Sequence, residues 1–206
     1  MTNVQFDREK LLEIVRVTID SCEPNELGKT KLHKVLYYTD MYSYLFRGVP
    51  VAGATYKKRP HGPTCDGLTF ALSELEENGE ISVTTENYFD YSKKVFKCKT
   101  LSKDHEASLD QDERKLLSAV IDFVCRNNTA RSISEFSHDL VWEMLELGEV
   151  IPYHLALGWI PTEISEVDEI EVLNEWQELA NKRPIRAAEM ADRSTRNIRE
   201  RLSQVH

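Results

Sequence analysis

The chain lacks an apolar run long enough to span a membrane and has few of the residues that mark special chemistry. A membrane span needs about 20 consecutive apolar residues, and charged residues, 30% of the 206, interrupt the apolar stretches well before that length. The four cysteines are widely spaced, without a C-x-x-C pair. The N-terminus lacks the basic-then-apolar pattern of a signal peptide. We therefore expect a cytoplasmic protein with reduced thiols and no membrane contact.

Sequence motifs typical of enzymes are also absent. There is no phosphate-binding G-x-x-x-x-G-K-[ST] or G-x-G-x-x-G, and no nucleophile elbow. His61 and Cys65 are close in sequence, but no second pair completes a tetrahedral metal site. The enzymatic alternative is a thiol- or metal-dependent hydrolase, with Cys65 activated by His61 or His138. We predict no enzymatic activity, no cofactor and no metal.

Charge is distributed unevenly along an acidic chain, whose formal net charge is −9. Residues 182–206 carry seven Lys and Arg against three acids, whereas residues 1–181 carry nineteen against thirty-two. An acidic body is poorly suited to nucleic acid, so that partner stays open only for the basic tail. We predict one domain over 1–160 and a C-terminal helical extension over 161–206, an acidic helix followed by a basic one. The basic helix is expected to pack on this chain or on a homodimer mate, and the alternative is that it docks in a groove of the toxin.

Residues 29–48 predict the central helix of the fold. Thr30 can cap its N-terminus, and Gly48 can end it in a left-handed conformation. Apolar and aromatic residues recur at spacings of three and four and cover most of its faces: Leu32, Val35, Leu36, Tyr37, Tyr38, Tyr42, Tyr44 and Phe46. A helix that is apolar on most sides packs against several neighbours. We expect the other elements to surround it.

The rest of the sequence predicts a mainly α protein with a small β component. Apolar spacing and capping patterns predict helices over 7–20, 63–78, 110–124 and 132–147. A short strand is expected over 51–56, and a β-hairpin over 81–84 and 94–100. The predicted fold class is α+β, a compact helical domain around the central helix with one small hairpin and C-terminal helices.

Basic and aromatic residues on the central helix and in the following loop are the candidates for partner binding. Tyrosine and arginine dominate the energetics of many protein–protein contacts. The candidates are Lys31, Lys34, Tyr37, Tyr38, Tyr42, Arg59 and His61. The competing interpretation places most of these tyrosines in the core and the charges on a solvated rim.

Three groups of residues resemble the Panacea domain of SocA-like antitoxins. They are KLHKVLYY at 31–38, the Gly62-Pro63 step, and the stretch from Ser137-His138 to Pro152-Tyr153. The resemblance covers about residues 5–160 and implies structural roles for Leu32, Leu36, Gly62, Pro63, Ser137, His138, Trp142, Pro152 and Tyr153. The sequence departs from the family pattern at His33, where glutamine is common, and at Arg59-Pro60-His61.

The resemblance implies an antitoxin of a type II toxin–antitoxin system, which neutralises a cognate protein toxin by direct binding. The alternative function is a winged-helix-like DNA-binding transcriptional regulator, with the third helix and the hairpin at 81–100 as its reading elements. That helix carries Glu74, Glu76 and Glu77 and no Lys or Arg. Such a composition is unfavourable for contact with phosphates.

Overall fold

The computed structural model describes residues 4–88, 91–99, 108–138 and 140–159. The helices within these ranges are α1 (Arg8–Ser21), α2 (Lys29–Arg47), α3 (Leu68–Glu77), α4 (Gln111–Ile121), α5 (Ala130–Phe136) and α6 (Leu140–Met144). A π-helical turn follows α4 at Asp122–Arg126, and a 3₁₀ segment covers Tyr153–Trp159. Two separate antiparallel hairpins contain β1 (Tyr56–Arg59) with β2 (Gly62–Cys65), and β3 (Ile81–Tyr88) with β4 (Tyr91–Cys98).

The predicted fold class, mainly α with a small β component, is confirmed. The hairpin β1–β2 was not expected, and β3–β4 is longer than the sequence predicted. The predicted C-terminal extension lies outside the described residues. None of the helices in the described ranges has the length and apolar content that crossing a membrane requires.

Helix α2 is the central element, as predicted. Every residue from 34 to 41 is buried, and α2 packs against α1, α4, α5, β2 and the 3₁₀ segment. Gly48 ends the helix with a φ of 74° and donates its N–H to the carbonyl of Tyr44 at 2.8 Å. The prediction that Thr30 caps the helix is wrong. The cap is Gly28, because its carbonyl already accepts the N–H of Leu32 at 3.0 Å.

A buried carboxylate connects α2 to the loop that follows it. Asp40 is fully buried, and its Oδ1 accepts the N–H of Ala52 at 2.7 Å. Its Oδ2 accepts the N–H of Ala54 at 3.1 Å, and the hydroxyls of Tyr56 and Tyr153 both lie 2.9 Å from it. Burial raises the pKa of Asp40, while these hydrogen bonds act in the opposite direction. The carboxylate thereby fixes one loop and one distant tyrosine against the central helix.

The loop after α2 differs from the sequence prediction at two points. The strand predicted over 51–56 is wrong, because the amides of this stretch donate to Asp40; strand β1 begins only at Tyr56. Pro63 does not start the third helix. It lies in β2 opposite Lys58. Proline is tolerated in a strand without a second neighbour, and α3 begins at Leu68.

The other edge of β1 pairs with the segment after α6. The N–H of Lys58 donates to the carbonyl of Glu149, and the N–H of Gly148 donates to the carbonyl of Lys58, both at 2.9 Å. The N–H of Ile151 donates to the carbonyl of Tyr56 at 2.8 Å. The sequence between Gly148 and Ile151 therefore extends the β1–β2 hairpin by one irregular strand-like edge.

Two local predictions for the helices are confirmed. The buried face of α3 consists of Leu68, Ala71, Leu72 and Leu75. Asp110 and Glu113 form a capping box at the start of α4, in which each side chain accepts a hydrogen bond from the other's backbone. The single helix predicted from Ser132 is wrong: Thr129 and Ser132 form the capping box, and the stretch divides into α5 and α6.

Candidate partner-binding surface

The turn between β1 and β2 carries two of the predicted partner-binding residues. Arg59, Pro60 and His61 are exposed, whereas Gly62 and Pro63 directly after them are buried. The hydroxyl of Ser134 on α5 donates a hydrogen bond to the carbonyl of His61 at 2.9 Å. The turn therefore projects its basic side chains into solvent while its backbone is fixed against a helix.

Gly62 lets the backbone of this turn approach two buried polar side chains. Its φ is 88°, and a Cβ atom here would lie 2.3 Å from both Lys34 Nζ and Ser137 Oγ. Both atoms are engaged: Lys34 Nζ donates to the carbonyl of Pro63 at 3.1 Å, and Ser137 Oγ donates to the carbonyl of Ser134 at 2.8 Å. The geometry gives Gly62 and Ser137 structural roles beneath the turn.

Replacing Gly62 with alanine is expected to lower the free energy of unfolding by about 3 kcal/mol, from a left-handed backbone and a steric clash together. Gly48→Ala is the matched control, because Gly48 has a φ of 74° but no neighbour within 4 Å of the added Cβ. The control should lose only ~1 kcal/mol. Urea unfolding of both variants measures the difference, and equal losses would show that the close approach at Gly62 is unimportant.

Lys31 and Lys34, two further predicted partner-binding residues, point into the interior. Lys34 is 1% exposed and Lys31 is 7% exposed. Lys31 Nζ donates to the carbonyl of Cys125 at 2.7 Å, in the π-helical turn. Because buried ammonium groups need hydrogen-bond acceptors, these lysines hold backbone segments against α2. A direct contact of either with a partner stays a prediction.

His33 lies beside the turn and is neutral near pH 7. Its Nδ1 accepts the N–H of Cys65 at 3.1 Å, which places the ring proton on Nε2. Burial, followed by the nearby charges of Lys29 and Lys34, lowers the pKa of His33 to about 4. The negative charge of Asp66 has the opposite effect and raises this pKa. The imidazole is thus neutral chiefly because it is buried.

A cavity of about 200 Å³ opens between the start of α2 and the β1–β2 turn. It brings together three of the predicted residues, Lys34, Arg59 and His61. The other described residues that line it are Lys29, Thr30, His33, Pro63 and Thr64. Sequence reasoning placed Lys29 and Thr30 only at the start of a helix, since nothing in the local pattern shows that the turn folds back over them.

A second feature, the aromatic surface cluster, consists of Tyr42, Phe46, Phe123, Phe136 and Trp159. Tyr42 stacks on Phe46 at 6.2 Å between ring centroids and lies 5.3 Å from Trp159. Phe123 and Phe136 meet edge to face at 5.3 Å. Phe46 is 75% exposed and Phe136 57% exposed, whereas the other three are half-buried. The cluster therefore presents large apolar rings to solvent.

The remaining predicted tyrosines support this cluster from below. Tyr38 is 1% exposed and lies within 6.2 Å of the rings of Tyr42, Phe123, Phe136 and Trp159. Tyr37 is also 1% exposed and packs on Tyr38 at 5.3 Å. Tyr37 and Tyr38 are therefore core residues, and the solvent-facing rings come from positions that the candidate set omitted, apart from Tyr42.

Helix α5 contacts both the basic turn and the aromatic surface cluster. Ser134 bonds the carbonyl of His61 in the basic turn, and Phe136 in the same helix belongs to the aromatic surface cluster. Sequence patterns could not show this connection, because the segments are far apart along the chain. Helix α5 therefore contributes one side chain to each feature, at positions that are two residues apart.

Beneath the turn, Trp142 joins two segments that the sequence singled out. His138 stacks on Trp142 with ring centroids 3.8 Å apart. Lys58 Nζ lies 3.8 Å from the centroid of Trp142 and donates to the carbonyl of Leu145 at 2.8 Å. Such a cation–π contact is stabilising when it is partly desolvated. Lys58 therefore stabilises the fold through its contacts with Trp142 and Leu145. The ring of His138 packs against Trp142.

The enzymatic alternative finds little support in the geometry. Burial raises the pKa of the Cys65 thiol to about 12, so it is not a thiolate at neutral pH. The Nδ1 atom of His33, a histidine in contact with Cys65, already accepts the backbone N–H of that residue. Among the described residues, no three His, Cys, Asp or Glu side chains are grouped to hold a metal ion.

The sequence was compared with models of known protein families. A family model described as antitoxin SocA-like, Panacea domain, matches residues 32–143, more than half of the chain.

The chain belongs to this family.

The recognition made from the KLHKVLYY, Gly-Pro and Ser-His motifs is therefore confirmed. No curated protein and no solved structure gives a match to this chain.

Two residues important in this Panacea domain were missed at the sequence level. Asp40 looked like one more acid on a helix, although an acid within the apolar run from 35 to 41 is a signal for a satisfied buried carboxylate. Lys58 was not among the candidate residues. Both are buried, and their partners come from segments remote in sequence.

Proposed function

We propose that this Panacea-domain protein is the cytoplasmic antitoxin of a type II toxin–antitoxin pair and neutralises its toxin by direct binding. The observation that carries the proposal is the aromatic surface cluster, in which Phe46 and Phe136 are exposed. Aromatic side chains are enriched in the cores of protein–protein interfaces and often act as their anchors. Occlusion of a toxin needs no catalytic group on the antitoxin.

Co-expression tests the proposal directly. The protein encoded by the adjacent gene should arrest growth when expressed alone, and co-expression of this chain should restore growth. The purified pair should associate at nanomolar concentration, which corresponds to about −12 kcal/mol. Failure of the pair to associate at micromolar concentration would reject direct neutralisation.

Substitution of single exposed rings locates the interface. We expect Phe46→Ala and Phe136→Ala each to weaken toxin binding about 30-fold, because a buried aromatic anchor is worth ~2 kcal/mol or more. Calorimetric titration measures the dissociation constants. Phe70→Ala is the matched control, because Phe70 is 80% exposed on α3, away from the cluster. A loss confined to Phe70→Ala would place the interface on α3 instead.

The DNA-binding alternative gains no support from the described surface. Its reading helix would be α3, whose charged residues are Glu74, Glu76 and Glu77. These carboxylates would repel phosphates. We therefore do not propose DNA binding as a second function.

A further inference from the structure

Two cysteine side chains meet where the end of α1 contacts the π-helical turn after α4. Cys22 caps the C-terminus of α1, and Cys125 lies within the turn Asp122–Arg126. Their thiols are hydrogen-bonded to each other, although the two residues are far apart in the chain. Both thiols are free and both are buried. The fold therefore places two reduced sulfur atoms side by side.

Hydrogen bonds to the main chain fix the two segments that carry these thiols. The guanidinium of Arg126 donates to the carbonyl of Ser21 at 3.1 Å, so the residues next to the two cysteines are joined. On α2, Lys31 Nζ donates to the carbonyl of Cys125 at 2.7 Å. The pairing therefore does not depend on the thiols alone, because the surrounding backbone is held in place.

The two thiols differ in reactivity. The hydrogen bond from Cys125 lowers the pKa of Cys22, and the positive charges of Arg126 and Lys31 act in the same direction. Burial and the negative charge of Glu26 oppose this change. The same hydrogen bond, together with burial, raises the pKa of Cys125. Because the thiolate is the nucleophilic form of cysteine, Cys22 is the more reactive of the two.

Access from solvent also favours Cys22. Its exposed fraction is 8%, and the residues on either side of it, Ser21 and Glu23, are exposed. Cys125 is 3% exposed. An opening this small admits a small oxidant such as a peroxide more readily than a bulky disulfide such as oxidised glutathione. The accessible thiol is thus also the one with the lowered pKa.

We propose that Cys22 and Cys125 form a redox-modification site, which hydrogen peroxide oxidises reversibly to a disulfide. In the first step the Cys22 thiolate attacks one peroxide oxygen, the O–O bond breaks, hydroxide leaves and Cys22 becomes a sulfenic acid. In the second step the sulfur of Cys125 loses its proton and attacks Cys22 Sγ. The S–O bond breaks, and the oxygen leaves as water with that proton. Two thiols are thereby oxidised to one disulfide, and one peroxide is reduced to two water molecules.

The position of this site gives the disulfide a structural effect. It joins the end of α1 to the π-helical turn, which also carries Phe123 of the aromatic surface cluster. Single π-helical turns of this kind occur frequently at functional sites. In a reducing compartment a disulfide is transient and dithiols reverse it, which is the behaviour of a redox sensor.

Peroxide treatment of the folded full chain tests the site. Hydrogen peroxide is added at pH 7, the remaining thiols are alkylated, and the peptides are identified by mass spectrometry without reduction. We expect one dominant disulfide, between Cys22 and Cys125, which dithiothreitol reverses. In urea the same treatment should give a mixture of pairs, because only the folded chain brings these two sulfur atoms into the geometry of a disulfide.

Single substitutions separate the roles of the two thiols. Cys125→Ser removes the second thiol and should leave Cys22 as a sulfenic acid that dimedone traps. In Cys22→Ser, Cys125 should be oxidised at least about tenfold more slowly than in the wild type, because it remains a neutral thiol. Cys98→Ser is the matched control. Cys98 is half-buried and so more accessible than either, and its removal should leave the rate of disulfide formation unchanged.

Three results would overturn the proposal. One is a folded wild-type protein in which Cys22 and Cys125 remain open to alkylation after peroxide treatment. Another is a dominant disulfide between a different pair of cysteines. The third is oxidation of Cys125 at the same rate with and without Cys22. Circular dichroism and melting temperatures show whether each variant is folded, and the experiment on the wild type does not depend on any substitution.

Discussion

Replacing Asp40 with alanine is expected to lower the free energy of unfolding by about 4 kcal/mol, because buried amides that lose their acceptor cost ~1–3 kcal/mol each. The N–H groups of Ala52 and Ala54 have Asp40 as acceptor. The tyrosine hydroxyls are less affected, because each has a second acceptor. The hydroxyl of Tyr56 donates to the carbonyl of Leu36 at 2.8 Å, and the hydroxyl of Tyr153 donates to the carbonyl of Ala54 at 2.6 Å. Urea unfolding measures the loss.

Asp40→Asn is the informative companion variant. The amide keeps one oxygen, which can still accept the N–H of Ala52, so we expect a loss of only ~2 kcal/mol. A larger loss of stability in Asp40→Ala than in Asp40→Asn would identify the side-chain oxygens of Asp40 as hydrogen-bond acceptors. If alanine is neutral, the hydrogen bonds around Asp40 contribute little to stability; if asparagine costs as much as alanine, one remaining oxygen is not enough and both carboxylate oxygens are required.

Acidification should destabilise the protein through His33. The pKa of His33 is about 4 in the fold, against 6.5 for an ordinary histidine, so the unfolded chain binds more protons between these values. Stability is therefore lost as pH falls from 6.5 towards 4, by up to ~3 kcal/mol from this residue. The charges that face the imidazole are Lys29, Lys34 and Asp66. Urea unfolding at intervals from pH 7 to pH 4 measures the slope.

His33→Gln isolates this contribution. A glutamine oxygen can accept the N–H of Cys65 as Nδ1 does, but the side chain does not titrate. The difference in unfolding free energy between wild type and His33→Gln should change across this pH range, while contributions from other groups cancel. Parallel curves for the two proteins would contradict the lowered pKa.

The central helix and the fold class could be predicted because both depend on local pattern. Apolar residues at spacings of three and four give a helix wherever they occur, and the number of apolar faces indicates how many neighbours surround it. Gly48 and the Asp110–Glu113 box could be placed for the same reason, since caps act within one turn.

The arrangement around the turn could not be predicted, because it depends on contacts between segments that are remote in sequence. Pro63 satisfies a helix-start pattern and a strand pattern equally well, and its pairing with Lys58 decides between them. In the sequence Lys34 resembles a surface residue, whereas in the structure its ammonium group is buried and donates to the carbonyl of Pro63. Burial of a charge is invisible in a sequence when its partner comes from another element.

The construction of the β1–β2 turn has a consequence for divergence within the family. The backbone there is fixed by the buried residues Gly62 and Lys34 and by the half-buried Ser134, whereas Arg59, Pro60 and His61 are exposed and contribute little to packing. Substitutions at exposed positions of this kind usually change stability by no more than ~0.5 kcal/mol. Homologues can therefore exchange the three outward side chains and acquire a different binding preference without rebuilding the scaffold.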